Sequence, residues 1–179
     1  MYQFCYLEVA MRQYDFIWEI NDYLATHPKA SIVNLGCGLD NMTRRFCNKD
    51  SYIYNIDFKD VIELRNELLP CGEREENIAC NLLDFSWFNR INKTNGVIFI
   101  ASGVFYYFLK DDVKKLIAEM AKYFKNSRIV FDSANKRAVK LMLKTWIKEA
   151  EVKDVNAYFY LSNSNKELGN ISDNISVSS

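Results

Sequence analysis

Two hydrophobic patterns alternate along the chain, and their alternation predicts an α/β fold. Short apolar runs, typical of buried strands, are followed by stretches in which apolar residues recur every three or four positions, as on one face of a helix. The predicted strands cover about residues 31–36, 52–57, 78–80, 96–101 and 128–132. The predicted helices cover about residues 6–26, 59–69, 113–124 and 135–149, with a shorter one ending near residue 47.

Capping residues and the final third of the chain add finer expectations. Asp84 is placed to cap a helical turn, and Asp111 or Asp112 to cap the helix that follows, since aspartate is favoured at N-caps. Beyond about residue 153 the pattern weakens. Residues 158–161 are a strand candidate, residues 163–174 are polar, and residues 175–179 alternate like a strand.

Strands that alternate with helices at this spacing favour a doubly wound, mostly parallel sheet with helices on both faces, a Rossmann-like arrangement. We expect one domain over residues 1–179, because a chain of 179 residues matches the length of a single domain. Within it, residues 1–28 form an N-terminal helix over the ligand site, 29–150 the sheet, and 151–179 an incomplete C-terminal part. In such a sheet, ligands bind beyond the carboxyl ends of the strands.

A glycine turn after the first strand is the central candidate site. The stretch I-V-N-L-G-C-G-L-D-N-M (32–42) places Gly36 and Gly38 one residue apart at a strand end. Glycine adopts positive φ and allows close approach of the backbone, and a helix that follows offers unpaired N–H groups. Asn41 stands where a nicotinamide fingerprint needs a third glycine, so the pattern alone leaves a ligand-free structural turn as an alternative.

Asp57 lies near the end of the second predicted strand, 19 residues after Gly38. A carboxylate at this place can accept both hydroxyl groups of a ribose. The alternative is that Asp57 caps the helix that follows.

Composition and charge limit the classes of partner. Lysine and arginine number 23 and so do aspartate and glutamate, giving zero formal charge. Binding to nucleic acid or to an anionic membrane needs a basic excess, so neither is expected. No apolar run reaches the length of a membrane span, and the first residues lack the pattern of a signal peptide.

The cysteines and the one histidine argue against disulfides and metal sites. Five cysteines form no C-x-x-C pair, which favours reduced thiols and a cytoplasmic location. A single histidine, His27, excludes most histidine-based zinc sites, and we expect no metal.

Five stretches together resemble the leucine carboxyl methyltransferase family, over roughly residues 7–178. Within the family, the chain is most similar to bacterial O-methyltransferases of the polyketide-synthesis kind. The stretches are V-N-L-G-C-G-L-D (33–40), N-I-D-F-K-D-V-I-E-L-R (55–65), N-L-L-D-F-S-W (81–87), I-A-S-G-V-F-Y-Y-F (100–108) and F-D-S-A-N-K (131–136).

The resemblance implies a class I methyltransferase that uses S-adenosylmethionine. Gly36 and Gly38 would then line the cofactor, and Asp57 would hold its ribose. Asn81 and Leu82 fall where the family contacts adenine, commonly with Asp-Leu. Arg12, in A-M-R, falls where the family places an arginine on the cofactor carboxylate; by itself it resembles a solvated charge.

The chain departs from the family pattern in three ways. Ser102 stands where I-A-E-G-V commonly has a glutamate facing the cofactor ammonium, and a hydroxyl cannot neutralise that charge. The stretch D-N-M-T-R-R replaces the common D-T-R. The chain also looks short at both ends relative to the family, so a reduced protein or a part of a longer one is expected.

These expectations support three functions. The first is an O-methyltransferase acting on a small-molecule carboxylate or hydroxyl compound; the second is a related domain that binds the cofactor without turnover. The third, an NAD-dependent oxidoreductase, is favoured only by G-x-G and Asp57. Tyr106 and Tyr107 are substrate-contact candidates or aromatic core, and no catalytic residue is assigned. A dimer is compatible with the sequence, which does not set the oligomeric state.

Overall fold

A computed structural model of the protein describes residues 2–46, 50–142, 156–169, 171 and 175–178. The chain forms two compact units, each described by itself below. The first comprises Met1–Ser102 and Phe124–Val130, and the second Gly103–Tyr123 and Phe131–Ser179.

The helices and strands follow the predicted alternation. The strands are β1 (Ser31–Leu35), β2 (Ile53–Asp57), β3 (Glu75–Ala79), β4 (Val97–Ala101) and β5 (Arg128–Phe131). The α-helices are α1 (Tyr2–Thr26), α2 (Lys59–Leu68), α3 (Lys110–Tyr123), α4 (Lys136–Met142) and α5 (Ser164–Leu168). Three 3-10 turns lie at Met42–Phe46, Phe85–Arg90 and Phe105–Tyr107.

The strands form one sheet in the order β3-β2-β1-β4-β5. β1 pairs in parallel with β2 and β4, and β2 pairs in parallel with β3. This is the strand order of a Rossmann-like half, in which the chain reverses direction across the sheet beside β1. The predicted fold class is therefore confirmed, and the carboxyl ends of these strands share one edge.

One face of the sheet packs against α1. Phe16, Ile20 and Tyr23 of this helix are buried with alternate residues of β4, Ile98 and Ile100. Side chains two apart on a strand point to the same face, so these isoleucines lie together. The apolar positions that predicted the helix are thus the positions at which it contacts the sheet.

An aromatic cluster lies on the opposite face. Phe99, between the two isoleucines, contacts Phe124 with 5.0 Å between ring centroids. Trp87 and Phe88 complete the cluster, edge to face at 4.5 Å. Every residue of β1 and of β4 is buried, as is typical of strands covered on both sides.

The second unit contains α3, α4 and α5. The predicted apolar face of α3 is buried at Val113, Leu116, Ile117 and Met120. The helix begins at Lys110, so Asp111 and Asp112 lie in its first turn and the prediction that one of them caps it is wrong. Acidic residues there still interact favourably with the helix dipole.

Two strand candidates near the end of the chain are not strands in the structure. Residues 158–161 form no strand; instead Tyr158 N–H donates to Tyr106 O and Leu161 N–H to Ala134 O. The polar stretch 163–174 contains α5, capped by Asn163. Residues 175–178 have no regular structure, and the predicted basic helix lies outside the described residues beyond Met142.

Across the helices that the structure describes, none combines the length and apolar character that a membrane crossing requires.

Candidate functional site

The glycine turn leaves β1 with both glycines in the left-handed region. Gly36 has φ 61° and Gly38 has φ 50°, a conformation that costs other residues free energy. The turn closes on itself through Asp40 N–H donating to Cys37 O at 3.0 Å. A Cβ built on Gly38 meets no atom within 4 Å, so the surface beyond Gly38 is open.

Asp57 ends β2 and binds the glycine turn directly. Its Oδ2 accepts a hydrogen bond from Gly38 N–H at 2.8 Å, and its Oδ1 accepts one from Phe58 N–H at 2.8 Å. The N-cap of α2 is Phe58, with no side-chain capping bond. The interpretation of Asp57 as the cap of this helix is therefore wrong, and the carboxylate is a fixed part of the turn.

The segment after β3 lies beside Asp57, because Cys80 N–H donates to Asp57 O at 2.9 Å. Asn81 is exposed, and its Oδ1 accepts from Leu83 N–H at 2.9 Å. The Leu82 side chain is only 4% exposed. The Asn81 amide thus faces solvent at this edge, while Leu82 is a core residue.

The positions of Ser102 and Arg12 follow from the strand and the helix that carry them. Ser102 follows β4, whose neighbour in the sheet is β1, and it is half-buried. Arg12 is half-buried on α1, one turn before the core residue Phe16. Contacts and strand pairing therefore place five of the predicted residues at one edge of the sheet: Gly36, Gly38, Asp57, Asn81 and Ser102. The position of Arg12, on α1, does not follow from strand pairing.

Arg65 is a component of this region that sequence reasoning missed. In E-L-R-N-E it resembles a solvated helix charge, yet it is 0% exposed. Its Nη1 donates to Gly38 O at 3.0 Å and to Asp40 O at 2.7 Å. The turn is thus held at an N–H by Asp57 and at two carbonyl oxygens by Arg65.

Glu75 supplies a negative charge close to Arg65. Its Oε1 lies 3.6 Å from Arg65 Nη2 and accepts from Asn55 Nδ2 at 2.8 Å. Its Oε2 accepts from Arg44 Nε at 2.9 Å. Burial opposes ionisation of Glu75, but hydrogen bonds from Gly72 and Asn55 and the charge of Arg44 outweigh it, so the pKa of this carboxyl is lowered.

The cysteines near the turn are not activated. Burial raises the pKa of the Cys37 thiol to about 12 and that of Cys80 to about 11. Thiols of this kind stay protonated at neutral pH and are poor nucleophiles. Cys37, Cys71 and Cys80 are free, and the described residues contain no group of side chains that could hold a metal ion.

Tyr106 and Tyr107 separate into two environments in the second unit. Tyr106 is buried, with its carbonyl accepting from Tyr158 N–H at 2.8 Å, whereas Tyr107 is exposed. Tyr106 is therefore an aromatic core residue, as one of the two sequence interpretations held.

Solved structures define the class of the fold. Human N-acetylserotonin methyltransferase, in complex with SAM, aligns with a TM-score of 0.56 and 11% identity over 79% of this chain and 41% of that one. Magnesium protoporphyrin IX methyltransferase from Synechocystis PCC 6803, with bound SAH, aligns with a TM-score of 0.59 and 17% identity over 90% of this chain and 71% of that one. At these identities the likeness establishes the class I methyltransferase fold.

The family follows from the sequence comparison. The chain belongs to the leucine carboxyl methyltransferase family, which matches residues 14–121. This range is narrower than the resemblance expected from the motifs, and Arg12 precedes it. The chain is 26% identical over 112 residues to the tetracenomycin polyketide synthesis O-methyltransferase TcmP of Streptomyces glaucescens, covering 62% of this chain. That alignment spans 42% of the relative's length.

Proposed function

We propose that this chain binds S-adenosylmethionine at the edge formed by the glycine turn and Asp57, and transfers its methyl group to an oxygen of a small molecule. The observation that carries the proposal is the hydrogen bond of 2.8 Å between Gly38 N–H and Asp57 Oδ2. This bond joins a glycine turn with positive φ to a carboxylate at a strand end. Membership of the leucine carboxyl methyltransferase family is the reason to interpret this pair as a cofactor site.

The residues present fit such a cofactor. An ionised carboxylate offers about four acceptor positions, and Asp57 uses two of them on backbone N–H groups. The remaining positions suit the two hydroxyl donors of a ribose. Open space beyond Gly38 admits a ligand close to the backbone, and a Cβ would occupy part of it.

The other predicted contacts are part of the proposal. The exposed Asn81 amide has two donors as well as its oxygen, which suits the edge of an adenine. The Leu82 side chain is buried, so its contribution would come from its backbone. Arg12 would pair with the cofactor carboxylate in bidentate geometry, and Ser102 would face the ammonium.

A carboxylate acceptor requires less of the protein than a hydroxyl compound does. When bound, the cofactor supplies a methyl group on a positively charged sulfur, and the protein must align an oxygen with it. A carboxylate needs no general base, whereas an alcohol does. The chain's one histidine, His27, stacks on Tyr23 with centroids 4.4 Å apart at the end of α1, and is engaged there.

Ligand-dependent unfolding tests the proposal. We expect S-adenosylhomocysteine to raise the melting temperature and NAD not to, because a ligand selective for the folded state stabilises it by RT ln(1 + [L]/Kd). At 100 times Kd the stabilisation is about 2.7 kcal/mol. Stabilisation by NAD alone would favour the oxidoreductase hypothesis and overturn ours.

Binding without turnover is the second candidate, and Ser102 favours it. A neutral residue where the family commonly has an acid weakens the case for full activity. Methyl transfer from labelled cofactor to a panel of small carboxylates and phenols separates the two. Binding of S-adenosylhomocysteine with no transfer to any acceptor would support the second candidate.

A further inference from the structure

Among the buried polar residues in the part of the chain that the structure describes, Arg65 is the only charged one. It lies on α2 at 0% exposure, and it shares this set with five uncharged residues: Ser31, Asn34, Thr43, Ser51 and Asn55. Removing a guanidinium from water costs several kcal/mol unless charges and hydrogen bonds compensate it. Its contacts must therefore account for its position.

Those contacts go to the glycine turn. Nη1 donates to Gly38 O and Asp40 O, two carbonyl oxygens of one turn. An arginine bound to both draws these carbonyls towards α2. The N–H of Gly38 donates to the carboxylate of Asp57.

The compensation of the Arg65 charge is incomplete. Glu75 approaches Nη2 at 3.6 Å but forms its hydrogen bonds with Asn55, Arg44 and Gly72. Among the residues that the structure describes, Nε and Nη2 of Arg65 have no hydrogen-bond acceptor. Replacing a whole buried ion pair by apolar side chains is often neutral or stabilising, so burial of this charge is weak evidence for a purely stabilising role. Arg65 is thus poorly explained by stability alone.

We propose that Arg65 is a positioning residue for the cofactor site: by holding the carbonyl oxygens of Gly38 and Asp40, it keeps the glycine turn in the conformation that presents Gly38 and Asp57 to the ligand. The inference rests on the proposed function. It assigns to α2 a role in ligand affinity, although Arg65 itself is enclosed by protein.

Substitution of Arg65 tests the role in binding. We expect Arg65→Met to raise the Kd for S-adenosylhomocysteine about tenfold or more, because two turn carbonyls lose charge-assisted hydrogen bonds. Arg65→Lys keeps the charge and some donors, so its Kd should lie between those of the wild type and Arg65→Met. Arg90→Met is the matched control, since it removes an arginine paired with Glu76 at an exposed site, and its Kd should equal that of the wild type.

A second variant separates binding from folding. Arg65→Met leaves the buried Glu75 carboxylate without this neighbour, which can reduce stability by itself. Arg65→Met/Glu75→Gln removes both charges, so no buried carboxylate is left without its guanidinium, and the glutamine keeps an acceptor oxygen for Arg44. We expect this double variant to recover part of the stability lost in Arg65→Met, measured by denaturant unfolding, while retaining the weakened binding of Arg65→Met.

Cys37 reports on the turn without any ligand. It is 3% exposed within the turn, and the other four cysteines can be replaced by serine to isolate its reaction with a thiol reagent. Local opening exposes the thiol and returns its pKa towards the ordinary range, so labelling should accelerate. We expect faster labelling in Arg65→Met/Glu75→Gln than in wild type or Arg90→Met, at denaturant-free conditions where all remain folded.

The outcomes distinguish this inference from the proposed function. A wild type that fails to bind S-adenosylhomocysteine removes the proposed function and, with it, the binding role of Arg65. A wild type that binds, together with a double variant of wild-type Kd and wild-type labelling rate, overturns the role of Arg65 alone. Weakened binding with accelerated labelling in the double variant supports it.

Discussion

The turns after β1 and after β4 use the same hydrogen bond in two settings. In the first unit, Gly38 at φ 50° donates its N–H to Asp57, the last residue of β2. In the second unit, Gly103 at φ 71° donates its N–H to Oδ1 of Asp132, the residue after β5, at 2.6 Å. Each turn thus combines a left-handed glycine with a carboxylate at a strand end.

The difference lies in what else binds each turn. The first turn has a buried cation on its carbonyl oxygens, Arg65, which belongs to a network with Glu75. The turn after β4 begins at Ser102, a neutral residue. A carboxylate that accepts a glycine N–H recurs at two strand ends and is a means of ordering a turn. The cation is the element that the first turn has in addition, and it is the basis of the positioning role that we propose for Arg65.

The largest effect is expected at the carboxylate of the first turn. Asp57→Ala should weaken binding of S-adenosylhomocysteine by about 1.5–3 kcal/mol, the scale of hydrogen bonds to a charged group. Stability should fall by about 1 kcal/mol, because Gly38 N–H and Phe58 N–H both lose an acceptor. Titration calorimetry and denaturant unfolding measure the two quantities.

Asp84→Ala is the control for this comparison. Asp84 caps the 3-10 turn at Phe85–Arg90 as predicted, accepting from Ser86 N–H at 3.1 Å, and it is exposed. Its removal should lower stability by about 1 kcal/mol and leave affinity unchanged. If Asp57→Ala lost stability but kept wild-type affinity, Asp57 would order the turn without binding the ribose.

A Cβ on Gly38 should produce a smaller loss of affinity. Gly38→Ala costs about 1 kcal/mol of stability through its φ, and its Cβ projects into the open space that we assign to the cofactor. We expect a similar loss, about 1 kcal/mol, in affinity for S-adenosylhomocysteine. Unchanged affinity would place the ligand elsewhere.

Gly96→Ala is the matched variant away from the site. Gly96 has φ 93°, and a Cβ there would lie 2.6 Å from the Tyr23 hydroxyl. That hydroxyl is fixed by hydrogen bonds with Asn126 O and Val97 N–H. We expect a greater loss of stability than for Gly38→Ala, with affinity unchanged in the folded protein.

The sequence predicted the backbone of the site better than its buried polar support. Apolar runs and glycines have local signatures, so the strands and the meeting of the glycine turn with Asp57 at one edge were predicted from spacing, whereas the hydrogen bond between Gly38 and Asp57 was not. β3 was expected at residues 78–80 but begins at Glu75, because Glu75 and Asn77 are polar strand residues that bind Asn55. The burial and contacts of Arg65 had no local signal, although it ends the stretch at residues 55–65, since its partners are main-chain oxygens 25 and 27 residues away.

At the turn after β4 we expect a gain of affinity and not a loss. Ser102 is the sharpest departure from the family pattern and is half-buried at the end of a fully buried strand. Ser102→Glu should tighten binding of S-adenosylhomocysteine by on the order of 1 kcal/mol, because a carboxylate pairs with the charge of the ligand ammonium, whereas a hydroxyl offers it only a dipole.

An analogue that lacks the amino group makes this prediction specific. Wild type and Ser102→Glu should bind the deaminated analogue equally, since the added carboxylate then has no cation to meet. The gain should also shrink as salt is raised, because screening weakens a contact that is partly solvated. If the variant gained equally for both ligands, residue 102 would not face the ammonium.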